Sequence, residues 1–511
     1  MRNGILTSCC LLALIAPTIA QAQGEVVFES WDAAYLGGTK AGYVHTITHA
    51  IKRGEETFYR TSTELHLTLQ RFKQTITLRM ENGTEETPDG KVTSVFMHQV
   101  LGKQQERLLT GTVQGNMLAV VVDEIRNKMK RRVLERKIPW DENVLGLYKQ
   151  QLLLKEKRIK PGDQLSFRSY EPTINAVINT KVHVKDYETV EVRGKKMKLL
   201  RVESIPDRIE AQNASIQLPP LTTWHDKDYV ALRSQVEVPG LGQLTLYRTN
   251  RDFAVKQTGP VAKLPDIGLG QLVRLKRRIP RAYDTRVVVY RIRIKDDKDP
   301  VTAFANDDRQ TVKKLGDDLI EVRVDVPADE PVENPAPVEE RYLKSCYFIN
   351  CDDSRVKELA KLAVGKETDP WQKALRIERW VHRNMKNKNF SEAFATADHV
   401  ARTLEGDCTE HAMLAAAMCR AVGVPSRTAL GLVYIENIQG PAMGFHMWTE
   451  VYVRGRWRPI DATLGRGFVG GSHLKITHHS WHDAQSLTPL LPVVRVVGKI
   501  SIEVAEARLK N

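Results

Sequence analysis

Gly406-Asp407-Cys408-Thr409-Glu410-His411-Ala412, Gly444-Phe445-His446-Met447-Trp448-Thr449-Glu450-Val451 and Gly455-Arg456-Trp457-Arg458-Pro459-Ile460-Asp461-Ala462-Thr463 follow one another between residues 406 and 463. In the first stretch Gly406 and Asp407 are helix-start signals, with Asp407 a natural N-cap. An alanine-rich run then leads to Gly423, and Pro425 forbids continuation. A sulfur in the first turn of a helix sits against unpaired backbone N–H groups and the positive end of the macrodipole, which favour thiolate over thiol. An imidazole beside it would complete the activation, which makes Cys408 a candidate nucleophile.

The second and third stretches alternate as half-buried strands do, over 446–454 and 457–460, and the short turn Arg454-Gly455 joins them into a hairpin. With those two residues at the centre of the turn, Val453 faces Arg456, Asp461 falls opposite Trp448, and His446 falls opposite Thr463. His446 and Asp461 then share a face in a diagonal relation, roughly 7–8 Å apart at the backbone and within side-chain reach. A slip of one residue would separate them onto opposite faces.

These motifs resemble the bacterial branch of the transglutaminase-like superfamily: the Gly-Asp-Cys-Thr-Glu-His-Ala helix start, the helix exit Gly423-Val424-Pro425-Ser426-Arg427, the His-x-Trp strand and the Gly-Arg-Trp-x-x-x-Asp-x-Thr strand. The likeness is sharp from 406 to 463 and looser over 340–480. It implies a papain-like core in which Cys408 is nucleophile, His446 is general base and acid, and Asp461 orients the imidazole. Met447 stands where alanine is usual after the histidine, and Ala462 where proline is usual after the aspartate; neither change removes a reactive atom. His411 is read as a packing or capping residue of the helix, and Cys419, about 16 Å along it from Cys408, as core. Trp448 and Glu450 share the face of His446, where Trp448 can shield the site from water or flank substrate.

A chain of 511 residues with 42% apolar and 27% charged residues is globular in composition and too long for one core. The fold class expected is α+β, a papain-like transglutaminase core on the C-terminal side behind a large antiparallel β-rich domain. The divisions read from pattern and composition are a signal peptide at 1–22, a β-rich domain at 23–256, a linker at 257–282, a small β segment at 283–326, a proline-rich linker or loop at 327–340, and the catalytic domain at 341–511. The β-rich part shows alternation at Leu65, Leu67 and Leu69, turns at Glu81-Asn82-Gly83 and Pro88-Asp89-Gly90, and one amphipathic helix from Asp141 to Lys155. Helices are expected at 356–364 and at 369–385, the latter opened by Pro370.

Arg2, the apolar run from Ile5 to Ile19 and Ala20-Gln21-Ala22 form an export signal with a mature start at Gln23, so the mature chain is expected in the periplasm or outside the cell. Leu6-Thr7-Ser8-Cys9 formally matches a lipoprotein box, but too few apolar residues precede it. No later apolar run is long enough to span a bilayer. Export leaves Cys346, Cys351, Cys408 and Cys419; the first two bracket four residues, and a local disulfide between them stays open. The formal charge of +14 is spread without a nucleic-acid-binding motif, so an anionic envelope surface or an acidic peptide is the partner it allows. No cofactor is expected, and His478, His479 and His482 lack a metal-ligand pattern. Two functions remain: a thiol acyl-transfer enzyme acting on peptide or protein amides through a thioester, hydrolysing them rather than crosslinking them to amines, or a non-catalytic envelope binding or assembly protein that keeps the fold as a scaffold. The backbone N–H of Cys408 is one oxyanion donor; the second has no sequence signature.

Overall fold

The computed structural model describes residues 24–509 apart from 72–73, 101–104, 127–128, 212–213, 217, 239–241, 257–263, 265, 267–270, 328–329, 388–394, 438–439 and 483–487. The export signal and its cleavage site lie outside the described residues. The chain is mostly antiparallel β, with a transglutaminase-like unit following a large β-rich region.

The β-rich region is a 14-stranded sheet. Eight strands from Glu25–Leu36 to Met129–Pro139 lie side by side in chain order. Glu25–Leu36 also pairs with Gly242–Thr249, and the sheet continues through Ala231–Val238, Leu221–His225, Lys195–Pro206 and Ala176–Val192 to Gln164–Glu171. Period-two alternation drives it: Val95 and Met97, then Leu118, Val120 and Val122 point to one side and bury together. The one long helix among the described residues here, Leu147–Glu156, is shorter than the sequence suggested, because Asp141 closes a local turn by accepting from Asn143 N at 2.8 Å. Its first N–H groups are capped from the sheet. Leu147 N donates to Thr84 Oγ1 at 2.8 Å, and Tyr148 N and Lys149 N donate to the buried Glu86 carboxylate at 2.8 and 3.0 Å. The turn expected at Glu81-Asn82-Gly83 does not exist. Gln74–Glu86 runs straight through, and Gly83 is there because a Cβ would lie 2.2 Å from the Phe96 ring. A glycine required by cross-strand packing imitates a turn glycine.

The C-terminal part has two sheets. In one, Gly440–Val453 pairs with Ser426–Asn437, which pairs in turn with His473–His479, while Arg456–Ile460 and Val273–Arg274 share the other edge of Gly440–Val453. The other sheet runs Gln310–Lys314, Leu319–Asp325, Thr285–Ile294, Ile500–Leu509. Four helices, Ser354–Val364, Pro370–Asn384, Ala397–Thr403 and Cys408–Ala421, form one core with Leu430, Met447, Val451 and Ile460. The second core joins the two sheets, with Leu432, Tyr434 and Leu474 against Tyr290, Ile292 and Val322.

Three stretches read as separate from the C-terminal unit are stitched into it. Val273–Arg274, from the presumed linker, pairs with Met443 and Ala442. The strands of 283–326 take their fourth partner from Ile500–Leu509 at the end of the chain. The proline-rich passage lies along the hairpin turn: Val332 N donates to Arg454 O at 3.1 Å, and Tyr452 Oη donates to Ala336 O at 2.6 Å. Charge and proline content mark exposed chain, but they do not mark which sheet a short strand joins.

A fragment beginning at Gln271 keeps the Val273–Arg274 edge strand and is expected to unfold cooperatively and retain an alkylatable Cys408. One beginning at Tyr283 loses that strand and should melt several degrees lower. Thermal circular dichroism with iodoacetamide labelling compares them. A disordered Gln271 fragment would mean that the 14-stranded sheet is needed to build the C-terminal unit.

Candidate active site

Cys408 is the first residue of its helix, so its backbone N–H has no intrahelical acceptor. Asp407 and Glu410 close a capping box: Thr409 N donates to Asp407 Oδ1 at 2.8 Å, and Asp407 N donates to Glu410 Oε2 at 3.0 Å. The other Glu410 oxygen accepts Ala395 N at 3.1 Å, tying the helix start to the preceding loop. Burial, reinforced by the neighbouring Asp407 charge, pushes the Glu410 carboxyl up. Gly406 takes φ +136°, and a Cβ there would lie 2.4 Å from the Glu410 side chain. The Gly-Asp-Cys-Thr-Glu run therefore fixes where one sulfur stands, half exposed at the helix tip.

His411 Nδ1 donates to Asp407 O at 2.6 Å, and burial lowers its pKa. It is the packing and capping residue the sequence suggested. Cys419 is fully buried, and burial pushes its thiol far up, in keeping with a core role. Cys346 and Cys351 are both free thiols; Cys346 Sγ accepts from Arg420 Nη1 at 3.7 Å.

The hairpin has the expected register, Val453 opposite Arg456 and Thr449 opposite Ile460. Arg454 and Gly455 both have positive φ, as the primed turn requires. The ladder stops at Ile460, however, so Asp461 does not pair with Trp448 nor Thr463 with His446; His446 pairs with Gly431 on the neighbouring strand. Asp461 leaves the strand through its own side chain, Oδ1 accepting Thr463 N at 2.9 Å and Leu464 N at 3.3 Å. That bend aims Oδ2 at His446 Nε2, 2.8 Å away. The Cys408 sulfur is near enough to add to the pull that Asp461 exerts on the His446 proton.

The sequence missed the second histidine on this carboxylate. His473 Nε2 donates to the same Asp461 Oδ2 at 2.9 Å from a fully buried position. Burial lowers its pKa to about 4 against the pull of Asp461, so the ring stays neutral and serves as an N–H donor. Burial alone would depress His446 and raise Asp461. The charge of each on the other, with their shared hydrogen bond and, for His446, the Cys408 sulfur, overrides it, holding His446 well above and Asp461 far below their usual ranges.

His446, Trp448 and Glu450 alternate along one strand, facing Gly431, Ala429 and Arg427. The Trp448 ring stacks near His446, centroids 6.2 Å apart, and meets His473 edge-on at 5.3 Å. Gly431 makes room, since a Cβ there would lie 2.9 Å from Trp448. Glu450 is an anchor, not a reactive acid. Arg427 Nη2 and Nε reach one oxygen at 2.7 and 2.8 Å and Lys475 Nζ the other at 2.8 Å. Burial would raise its carboxyl, and the two cations outweigh that and hold it far below the carboxylate range.

Among the described residues, the one grouping of metal-type ligands is His446, Asp461 and His473, with ligand atoms within 4.8 Å of one another. Both imidazoles point their nitrogens at a single carboxylate oxygen, so N–H protons occupy the places a cation would take. His478 and His479, at the far end of the strand that begins with His473, are not part of it.

Glu378, on the helix Pro370–Asn384, is the other residue without a sequence signature. It is completely buried, with Oε1 accepting Asp461 N at 3.3 Å and Gly467 N at 3.1 Å. It thereby pins both ends of the loop after the hairpin. Burial raises its carboxyl to about 7. A carboxyl raised in the folded state penalises folding once the unfolded chain ionises near 4.5, and the penalty grows until the folded group ionises near 7. Glu378→Gln is accordingly expected to gain stability relative to the parent as pH rises through that window, by about 2–3 kcal/mol in denaturant titrations. A difference independent of pH would show that the carboxyl is already ionised in the acid range.

A transglutaminase-like superfamily model matches residues 357–462. An uncharacterized protein of Haemophilus influenzae is 29% identical over 149 residues, 24% of this chain and 39% of its own. The kyphoscoliosis peptidase of Mus musculus is 33% identical over 90 residues, 17% of this chain and 14% of its own. The chain thus aligns with well under half the length of either relative. Among solved structures, a candidate cysteine protease from Cytophaga hutchinsonii is similar over 44% of this chain and 86% of its own, at 16% identity and TM-score 0.27. A beta-barrel-like protein from Brucella abortus is similar over 43% of this chain and 95% of its own, at 11% identity and TM-score 0.31. Residues 357–462 thus form a transglutaminase-like domain within the chain.

Proposed function

We propose that this protein is an exported cysteine enzyme that attacks peptide or protein amides with Cys408 and hydrolyses the resulting thioester. The observation that carries the reading is His446 engaging Asp461 Oδ2 at 2.8 Å, with the Cys408 sulfur close enough to help raise the pKa of the ring. An imidazole held above its usual pKa between a carboxylate and a thiol favours the thiolate–imidazolium pair, a nucleophile with its own acid. The Cys408 thiolate adds to the amide carbon, and the carbonyl oxygen becomes an oxyanion facing the Cys408 N–H. Collapse breaks the C–N bond as His446 delivers its proton to the leaving amine. Neutral His446 then takes a proton from water, which adds to the thioester and releases the acid and Cys408.

Asp461 holds the ring in register and balances the imidazolium charge, and His473, by donating to the same oxygen, fixes where that charge sits. Hydrolysis rather than amine transfer is supported by the half-exposed position of Cys408, which water can reach, and by the peptidase named among the relatives. Export rests on the Arg2 to Ala22 segment.

Asp461→Asn retains the shape and the Oδ1 acceptor but offers an amide to two N–H donors. It is expected to lower amide hydrolysis by about 10⁴-fold, by analogy with the serine-protease aspartate, while costing about 1–3 kcal/mol of stability. Release of primary amines from casein, run beside incorporation of a dansylated amine, reads both activity and its direction. Equal hydrolysis by variant and parent removes Asp461 from the mechanism, and dansyl incorporation outrunning amine release makes the enzyme a crosslinker.

A further inference from the structure

A cavity of about 280 Å³ lies apart from the catalytic residues and is not lined by Cys408, His446 or Asp461. It opens where the start of Thr285–Ile294, the end of Leu319–Asp325, the hairpin strand Arg456–Ile460 and the loop around Gly467 meet. Its walls carry Arg286, Arg309, Arg456 and Arg458 together with Trp371 and Trp457, and among the described residues no acidic side chain lines it. Four guanidiniums around a small cavity repel one another unless an anion sits among them.

The hydrogen bonding points the same way. Arg309 donates from Nη2 to Gly470 O, yet its Nε is buried and, among the described residues, has no partner; the same holds for Arg456 Nε. A buried donor of a charged group left unsatisfied costs about 1–3 kcal/mol or more, so native structures seldom leave two on residues that line one cavity. Burial pulls the Arg309 guanidinium down to about 10, with the charges of Glu450 and Asp307 pulling the other way. Arg458 lies over the Trp371 ring, 5.5 Å from its centroid, and Trp457 supplies a second aromatic wall. A guanidinium fork suits a carboxylate, and indole walls suit a flat apolar group.

We propose that this cavity is a binding site for an organic anion, a carboxylate carried next to an aromatic or apolar group, as at the C-terminus of a peptide that ends in such a residue. The volume is at the lower end for ligand sites, which run about 300–1,000 Å³, and suits one residue, not a long segment. The site stands apart from the chemistry proposed for Cys408, so its failure leaves that reading untouched.

Calorimetric titration of the full chain with N-acetyl-phenylalanine tests it, with N-acetyl-phenylalanine amide and inorganic phosphate as comparison ligands. The carboxylate is expected to bind with Kd at or below about 1 mM, the amide and phosphate much more weakly, with quenching of tryptophan fluorescence on binding. Arg456→Gln and Arg286→Gln should each weaken binding at least about tenfold. Arg286 is exposed, so its variant is not expected to disturb folding, and melting curves verify this for both. Equal binding of acid and amide, phosphate binding as tightly as the acid, parental affinity in both variants, or no heat at about 10 mM ligand would each overturn the proposal.

Discussion

One oxygen, Asp461 Oδ2, receives two imidazole N–H groups, and the geometry of the whole site hangs on it. The other oxygen is used up by backbone N–H groups of the turn that it creates, so the carboxylate cannot rotate without breaking four contacts. A buried carboxylate so held is compensated by hydrogen bonds and by one protonated imidazole, and removing any donor leaves charge behind in an apolar surrounding. This couples fold and chemistry: the turn that ends the hairpin is the device that aims His446.

Beneath that carboxylate lies a second buried polar cluster that joins the two C-terminal sheets. Lys475 bridges Glu450 on one sheet and Asp307 ahead of the other, while Arg427 grips Glu450 and stacks over Trp457 at 3.9 Å. Every ion has an opposite charge in contact, the condition under which burial is tolerated, and loss of one partner in such a cluster typically costs about 3–5 kcal/mol. The cluster keeps the strand carrying His446 fixed relative to the strand carrying His473, and thereby fixes two of the donors to Asp461.

What the sequence made legible was local. The capping box, the alanine helix and the Arg454-Gly455 turn are written in adjacent residues, so Cys408 and His446 could be placed on their elements and the hairpin register followed from the turn, whereas Asp461, read as a strand residue, lies in the turn beyond it. What it hid was set by distance along the chain. His473 reaches Asp461 from another strand, inside a run whose composition reads as ordinary strand. Glu378 sits on an amphipathic helix among charged neighbours and is buried only because the loop ending at Gly467 folds over it. Gly83 misled in the opposite sense, since local chemistry cannot tell a turn glycine from one that makes room for Phe96 across the sheet. The strand Val273–Arg274 is two residues long and carries no pattern at all.

The claim on which the account stands is that His446 activates Cys408, and the rate of Cys408 alkylation against pH, in the parent and in His446→Ala, tests it most directly. Both proteins carry Cys346→Ser, Cys351→Ser and Cys419→Ser so that one thiol is read. The account predicts a parental rate that stays high on the acid side of neutrality and a variant whose rate climbs only near the ordinary thiol range of about 8.5. Superimposable profiles for the two proteins would contradict it.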